Sequence, residues 1–259
     1  MKYKNFLFGI ASLFAIIVNA QQAKFCGKVD YTFTTNLAYL YSEKYTMNFN
    51  STYSYCEEKV EVKINDKNSQ EKSEQGVTNK HIVDRQNLKS KFFFNNGSHL
   101  YFRDNFMDEI LLVKEDAIEW NWILHPETKQ IANFTSKKAT TTFRGRNYTA
   151  WYITNIPIPF GPWKFHGLPG LILEVYDASL SFHIMANNVK IDNSPCIIKI
   201  DAVDLKKAIN IEDYLLKKDK ILDEFLAEMS SRLPKGSEPL RWDKNCSGCH
   251  SNQIENFND

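Results

Sequence analysis

Residues 92–102 read Phe-Phe-Phe-Asn-Asn-Gly-Ser-His-Leu-Tyr-Phe, two aromatic runs on either side of Asn96-Gly97. Aromatic side chains suit a pleated, half-buried surface. An Asn-Gly pair supplies the two positive φ angles of a type I′ turn, so the stretch predicts a β-hairpin. The same grammar recurs further on. Residues 116–124 (DAIEWNWIL) alternate, which puts Ile118, Trp120, Trp122 and Leu124 on one strand face and Glu119 and Asn121 on the other. Arg144-Gly145-Arg146-Asn147 marks a second tight turn, between strands expected at 138–143 and 148–154. Strands joined by tight turns pair antiparallel and need no crossover helices. The fold class expected is therefore mainly β: a curved antiparallel sheet or half-barrel meander over residues 21–205.

Beyond that sheet the periodicity changes. Tyr214, Leu215, Ile221, Leu222, Phe225, Leu226, Met229 and Leu233 recur at helical spacing, and Pro234 and Gly236 end the pattern. Residues 206–235 thus predict an amphipathic helix whose stripe covers an exposed sheet face or an open barrel end. Its polar face mixes acids with lysines, which argues against attraction to anionic lipid. Residues 65–80 (NDKNSQEKSEQGVTNK) are almost wholly polar and read as a mobile loop. Residues 236–259 read as a flexible tail.

The first twenty residues, MKYKNFLFGIASLFAIIVNA, place Lys2 and Lys4 before an apolar run and small residues before a cut after Ala20. That is the pattern of a secretory signal peptide. The apolar run is too short to span a bilayer, and no later run is long enough, so no transmembrane segment is expected in the mature chain. Export to the periplasm, to an outer-membrane-associated position or to the exterior is the expectation. After such a cut, 30 basic and 31 acidic residues remain. This balance carries no footprint for nucleic acid.

Five cysteines, Cys26, Cys56, Cys196, Cys246 and Cys249, would meet an oxidising compartment. If residues 26–35 and 45–56 pair about residue 41, Cys26 and Cys56 face each other and form a cross-strand disulfide. Cys196 is then the buried odd thiol. Cys246-Ser-Gly-Cys-His250 has the CxxCH form that attaches c-type haem, two thiols to the porphyrin and one imidazole to iron. The alternatives are a local Cys246–Cys249 disulfide or a mixed disulfide, or a zinc or copper site using Cys246, Cys249 and His250 with a distant fourth ligand.

The most distinctive segment is residues 156–177, IPIPFGPWKFHGLPGLILEVYD, with four prolines and three glycines ahead of an apolar strand. Together with FRGRNYTAWY at 143–152 it resembles the GLPGLI family of exported bacterial proteins, whose members carry a pattern like FRGR.Y.AWYT..IP...GPWKF.GLPGLIL. The resemblance extends to residues 131–139. Relatives there have a glycine, a tyrosine and a cysteine, and this chain has Asn133, Phe134 and Ser136. The resemblance implies a Gram-negative envelope and no established activity.

Within this segment Trp163, Phe165 and His166 are candidates for a rigid recognition loop. The competing reading has Trp163 and Phe165 as a plug, since an apolar loop feeding a buried strand is usually core. Arg144 and Arg146 flank a turn glycine; paired, they would grip a carboxylate or a sugar. No GxSxG elbow, HExxH or phosphate-binding glycine loop occurs, and no catalytic residue is assigned. The function expected is a non-enzymatic binding protein for an apolar ligand or an outer-membrane protein partner, the alternative being a haem- or metal-binding protein.

Overall fold

The structure, a computed structural model, describes residues 26–37, 40–60, 89–192, 205–242 and Glu255. Eleven strands form one antiparallel sheet. They are β1 (Cys26–Asn36), β2 (Leu40–Phe49), β3 (Ser54–Glu58), β4 (Phe92–Asn95), β5 (His99–Phe106), β6 (Glu109–Asp116), β7 (Ile123–Ile131), β8 (Phe134–Phe143), β9 (Arg146–Ile153), β10 (Leu171–Asp177) and β11 (Phe182–Asp192). The helix α1 (Ile211–Ser231) follows.

The order β6-β5-β4-β3-β2-β1-β11-β10-β9-β8-β7 dictates the shape. Two meanders run outward from the central β1–β11 pair, and the strands at the two edges, β6 and β7, are neighbours in sequence. A flat sheet of this width would hold its edges about 48 Å apart at the usual strand spacing of about 4.8 Å. The seven Cα steps from Asp116 to Ile123 reach at most about 25 Å. The sheet therefore curls. It stays open, because β6 and β7 do not pair.

That short link is where the alternating stretch 116–124 falls, and the expected continuous strand is not formed. β6 ends at Asp116 and β7 begins at Ile123. Ile118 and Trp120 are buried as the alternation requires, but Leu124 is 55% exposed on the edge strand. The type I′ geometry also sits elsewhere than expected. Arg144 and Gly145 carry the two positive φ angles (44° and 74°), whereas at 96–98 only Gly97 does (83°). Asn96 instead caps a three-residue loop, its side chain accepting from Ser98 N and His99 N.

One row of the inner face runs across six strands: Val29, Met47, Cys56, Phe93, Phe102 and Val113 stand side by side in register. Cys56 is a free, buried thiol, and burial pushes it up to about 12. The expected Cys26–Cys56 bridge is thus not made. The first hairpin pairs Gly27 with Phe49 and Asn36 with Leu40, so it turns about residue 38 rather than 41. Cys26 consequently lies opposite Asp192, and Cys56 falls on β3 beside Met47. Cys196 and residues 65–80 lie outside the described residues.

Ile209 lies parallel to Val113 and covers the open edge of β6, its N–H donating to Leu112 O (2.9 Å) while its carbonyl accepts from Lys114 N (2.7 Å). Asn210 then caps α1, accepting from Asp213 N at 2.7 Å. Tyr214 enters the curl, its ring edge-on to Phe102 and its hydroxyl donating to Asp104 (2.8 Å). The stripe covers the sheet through Ile211, Tyr214, Leu215 and Ile221, while Phe225, Met229 and Leu233 remain exposed. Among the described residues no helix is long and apolar enough to cross a membrane.

Candidate functional site

Between β9 and β10 the chain leaves the sheet and folds into its hollow. Ile156, Ile158, Phe160, Trp163, Phe165 and Leu168 are all buried there. The glycine-rich motif has a steric reason: a Cβ on Gly170 would stand 2.0 Å from the carbonyl oxygen of Ile153, so only glycine lets the loop re-enter the sheet against that backbone. Tyr31 closes the same corner by donating its hydroxyl to Ile172 O across the sheet (2.6 Å).

Trp163 is 7% and Phe165 1% exposed, so both pack as the plug and neither is offered at the surface. The link residues lock onto this plug. Trp120 Nε1 donates to Lys164 O (3.2 Å) and Trp122 Nε1 to His166 O (2.8 Å). These bonds, with the stacked Trp120–Trp122 and the Trp120–Phe165 contact at 4.8 Å, hold residues 117–122 off the sheet. His166 is half-buried with Nδ1 2.9 Å from the carbonyl of Lys164. Burial lowers its pKa below 6.5, the backbone hydrogen bonds to Lys164 and Ile118 opposing.

The loop also carries a charge into the apolar interior. Lys164 is only 2% exposed. Its ammonium lies 4.4 Å over the Phe102 ring and donates to Glu115 Oε2 (2.9 Å) and to Glu255 Oε2 (2.7 Å). Arg144 completes a quartet, one guanidinium nitrogen on Glu115 and another on Glu255. Each carboxylate is therefore gripped by both cations. A buried ion costs several kcal/mol unless paired, and here each charge is met by two of opposite sign. Position follows from local structure. Glu115 is on the inner face of β6, in the row of Leu100 and Asn95, and Arg144 stands at positive φ in the β8–β9 turn. Beside the quartet opens a cleft of about 410 Å³, walled by residues 114–119, Phe143, Arg144 and residues 210–212.

The arginine pair of the sequence is split. Arg146 turns to Asp177 (2.6 Å), which also accepts from Ser179 Oγ and Phe182 N, so Arg144 and Arg146 serve different carboxylates. Cys246, Cys249 and His250 lie outside the described residues. Among the described residues no group of three or more His, Cys, Asp or Glu is placed to hold a metal ion. Glu255, in the same C-terminal stretch, is described, and it reaches the quartet. Sequence reasoning did not single out Glu115, Lys164 or Glu255. Only Lys164 lay in a distinctive segment, and nothing local announces a pairing across 49 or 91 residues.

A family model described as a protein of unknown function (Porph_ging) matches residues 144–174, from Arg144 through the plug into β10. No curated protein matches the chain. Two solved structures of PNGF-II, in space groups C2 and P21, are similar at 14% and 15% identity with a TM-score of 0.48 each, over 75% of this chain. The chain spans 33% and 34% of those chains, about a third of their length. An uncharacterized conserved protein from Thermus thermophilus is similar at 6% identity and a TM-score of 0.35, over 71% of this chain and 90% of that one.

Proposed function

We propose that the chain is an exported, non-enzymatic binding protein of the GLPGLI type, and that its binding site is the cleft beside Arg144. The hollow of the sheet is already filled by the chain's own loop, and the cleft of about 410 Å³ beside it is open to a ligand. Its occupant is an apolar ligand, or a segment of an outer-membrane partner, that presents a carboxylate to Arg144 and Lys164. The observation that supports this reading is the seating of Glu255: a carboxylate from far along the chain is held by both Arg144 and Lys164, and Arg144 also lines the cleft. An arginine fork with a lysine point charge suits a carboxylate. The signal-like residues 1–20 support export.

The test uses the chain beginning at Gln21. Glu255→Ala should lower the unfolding temperature, and acetate, but not chloride, should restore it by refilling the cradle. Arg144→Ala/Glu255→Ala should be indifferent to acetate. Equal responses to acetate and chloride, or rescue that survives loss of Arg144, would overturn the proposal.

A further inference from the structure

The four charges of the quartet form a closed square in which each carboxylate oxygen has its own donor. Glu115 Oε1 accepts from Arg144 Nη2 and Glu115 Oε2 from Lys164 Nζ (2.9 Å). Glu255 Oε1 accepts from Arg144 Nη1 and Glu255 Oε2 from Lys164 Nζ (2.7 Å). The two carboxylates differ in origin. Glu115 is on β6, Arg144 in the β8–β9 turn and Lys164 in the plug, all parts of the sheet and its filling. Glu255 lies beyond α1, 91 residues from Lys164 and 111 from Arg144. Glu115 thus holds the two cations at their spacing from within the sheet, and a carboxylate arriving at the fourth corner meets donors already in place.

The carboxylate at that corner is not a chain end. Glu255 is bonded to Ile254 on one side and to Asn256 on the other, so the corner admits a side chain from within a polypeptide. A carboxylate offers each donor one oxygen, whereas an amide would turn its N–H groups toward a cation. Arg144 also lines the cleft, where Ile118, Phe143 and Ile211 add apolar surface. A glutamate with apolar neighbours suits both features, and residues 254–257 read Ile-Glu-Asn-Phe. We infer, on the premise of the carboxylate site proposed above, that its occupant is a peptide segment bearing an internal glutamate beside apolar residues. Glu255 is the chain's own stand-in for that glutamate, and an incoming segment has to displace it. A tethered carboxylate competes at an effective concentration on the order of 1 mM, so Glu255 sets a threshold that a partner must exceed.

Fluorescence anisotropy with a labelled peptide of residues 251–259 (SNQIENFND) and the chain beginning at Gln21 tests it. Glu255→Ala should bind the peptide at least about 10-fold more tightly than the unaltered chain, because the tethered competitor is gone. Glu255→Asp keeps the charge on an arm one methylene shorter and should fall between the two; it carries the test if Glu255→Ala does not fold. The peptide carrying Glu255→Gln should not bind, and Arg144→Ala/Glu255→Ala should not bind the parent peptide. Equal affinity of the unaltered chain and the variants, or undiminished binding of the glutamine peptide, would overturn the inference. Acetate rescue of Glu255→Ala without peptide binding sinks the peptide assignment and leaves the carboxylate site standing. Absence of that rescue as well sinks both.

Discussion

Lys164 Nζ lies 2.9 Å from Glu115 Oε2, a buried ion pair between the plug loop and the edge strand β6. It joins two elements that the chain order keeps apart, and both side chains are buried. Removing one partner leaves the other buried with one of its two counter-charges, Arg144 for Glu115 or Glu255 for Lys164. Lys164→Met and Glu115→Gln should each destabilise by about 2 kcal/mol, the scale of a lost hydrogen bond to a charged group. The double variant should lose clearly less than the sum, because it leaves Arg144 and Glu255 paired one to one. Urea unfolding of the four proteins measures the coupling; additive losses would show that the pair does not act as a unit.

Gly170 and Gly97 separate two reasons for glycine. Alanine at 170 would drive a Cβ to 2.0 Å from the Ile153 carbonyl, a clash with backbone that no rotamer relieves. We expect a loss on the order of 3 kcal/mol. At Gly97 there is open space and only the positive φ of 83° to satisfy. Alanine there should cost about 1 kcal/mol. Denaturation midpoints of the two variants should rank in that order.

Ser136 occupies the place where the resembling family carries cysteine. It is fully buried, and its hydroxyl has no hydrogen-bond partner among the described residues. A buried hydroxyl left unpaired is a net cost, so Ser136→Ala should raise stability by about 1 kcal/mol. A fall in the urea midpoint would contradict this account.

Stability should decline on the acid side in two stages. For His166, burial holds the native pKa below 6.5, so the unfolded chain takes up the proton first. The contribution is complete above 6.5 and is lost as pH falls from there through the lower native value. For Glu174, burial favours the neutral acid, but hydrogen bonds from His183 and Lys129 outweigh it and hold the pKa below 4.5. That contribution is present above 4.5 and is lost as pH falls through the native value. Midpoints followed from neutral pH downward should show both stages, and His166→Gln should abolish the upper one.

The antiparallel class, the hairpin at 92–102 and the turn at 144–147 were legible because each depends on side chains within a few residues of one another. The helix was legible for the same reason. The strand expected over 116–124 failed because Trp120 and Trp122 alternate as a strand would, yet spend their indole N–H groups on the carbonyls of Lys164 and His166. Periodicity records which residues are buried and not what they are buried against. The expected cysteine bridge failed on a shift of three residues in where the first hairpin turns, which the pattern of apolar residues did not resolve.

By itself, then, the sequence determined a sheet of short aromatic strands, a closing helix and an irregular proline-glycine loop, since propensity and periodicity are properties of neighbouring residues. Only the tertiary structure decided that the loop fills the sheet, and that Glu115, Arg144, Lys164 and Glu255 share one site. The reason is physical: ion pairing inside a low-dielectric interior depends on distances of about 3 Å between groups far apart in the chain, and those distances exist only once the curl of the sheet has brought the plug loop, the β8–β9 turn and the edge strand β6 together.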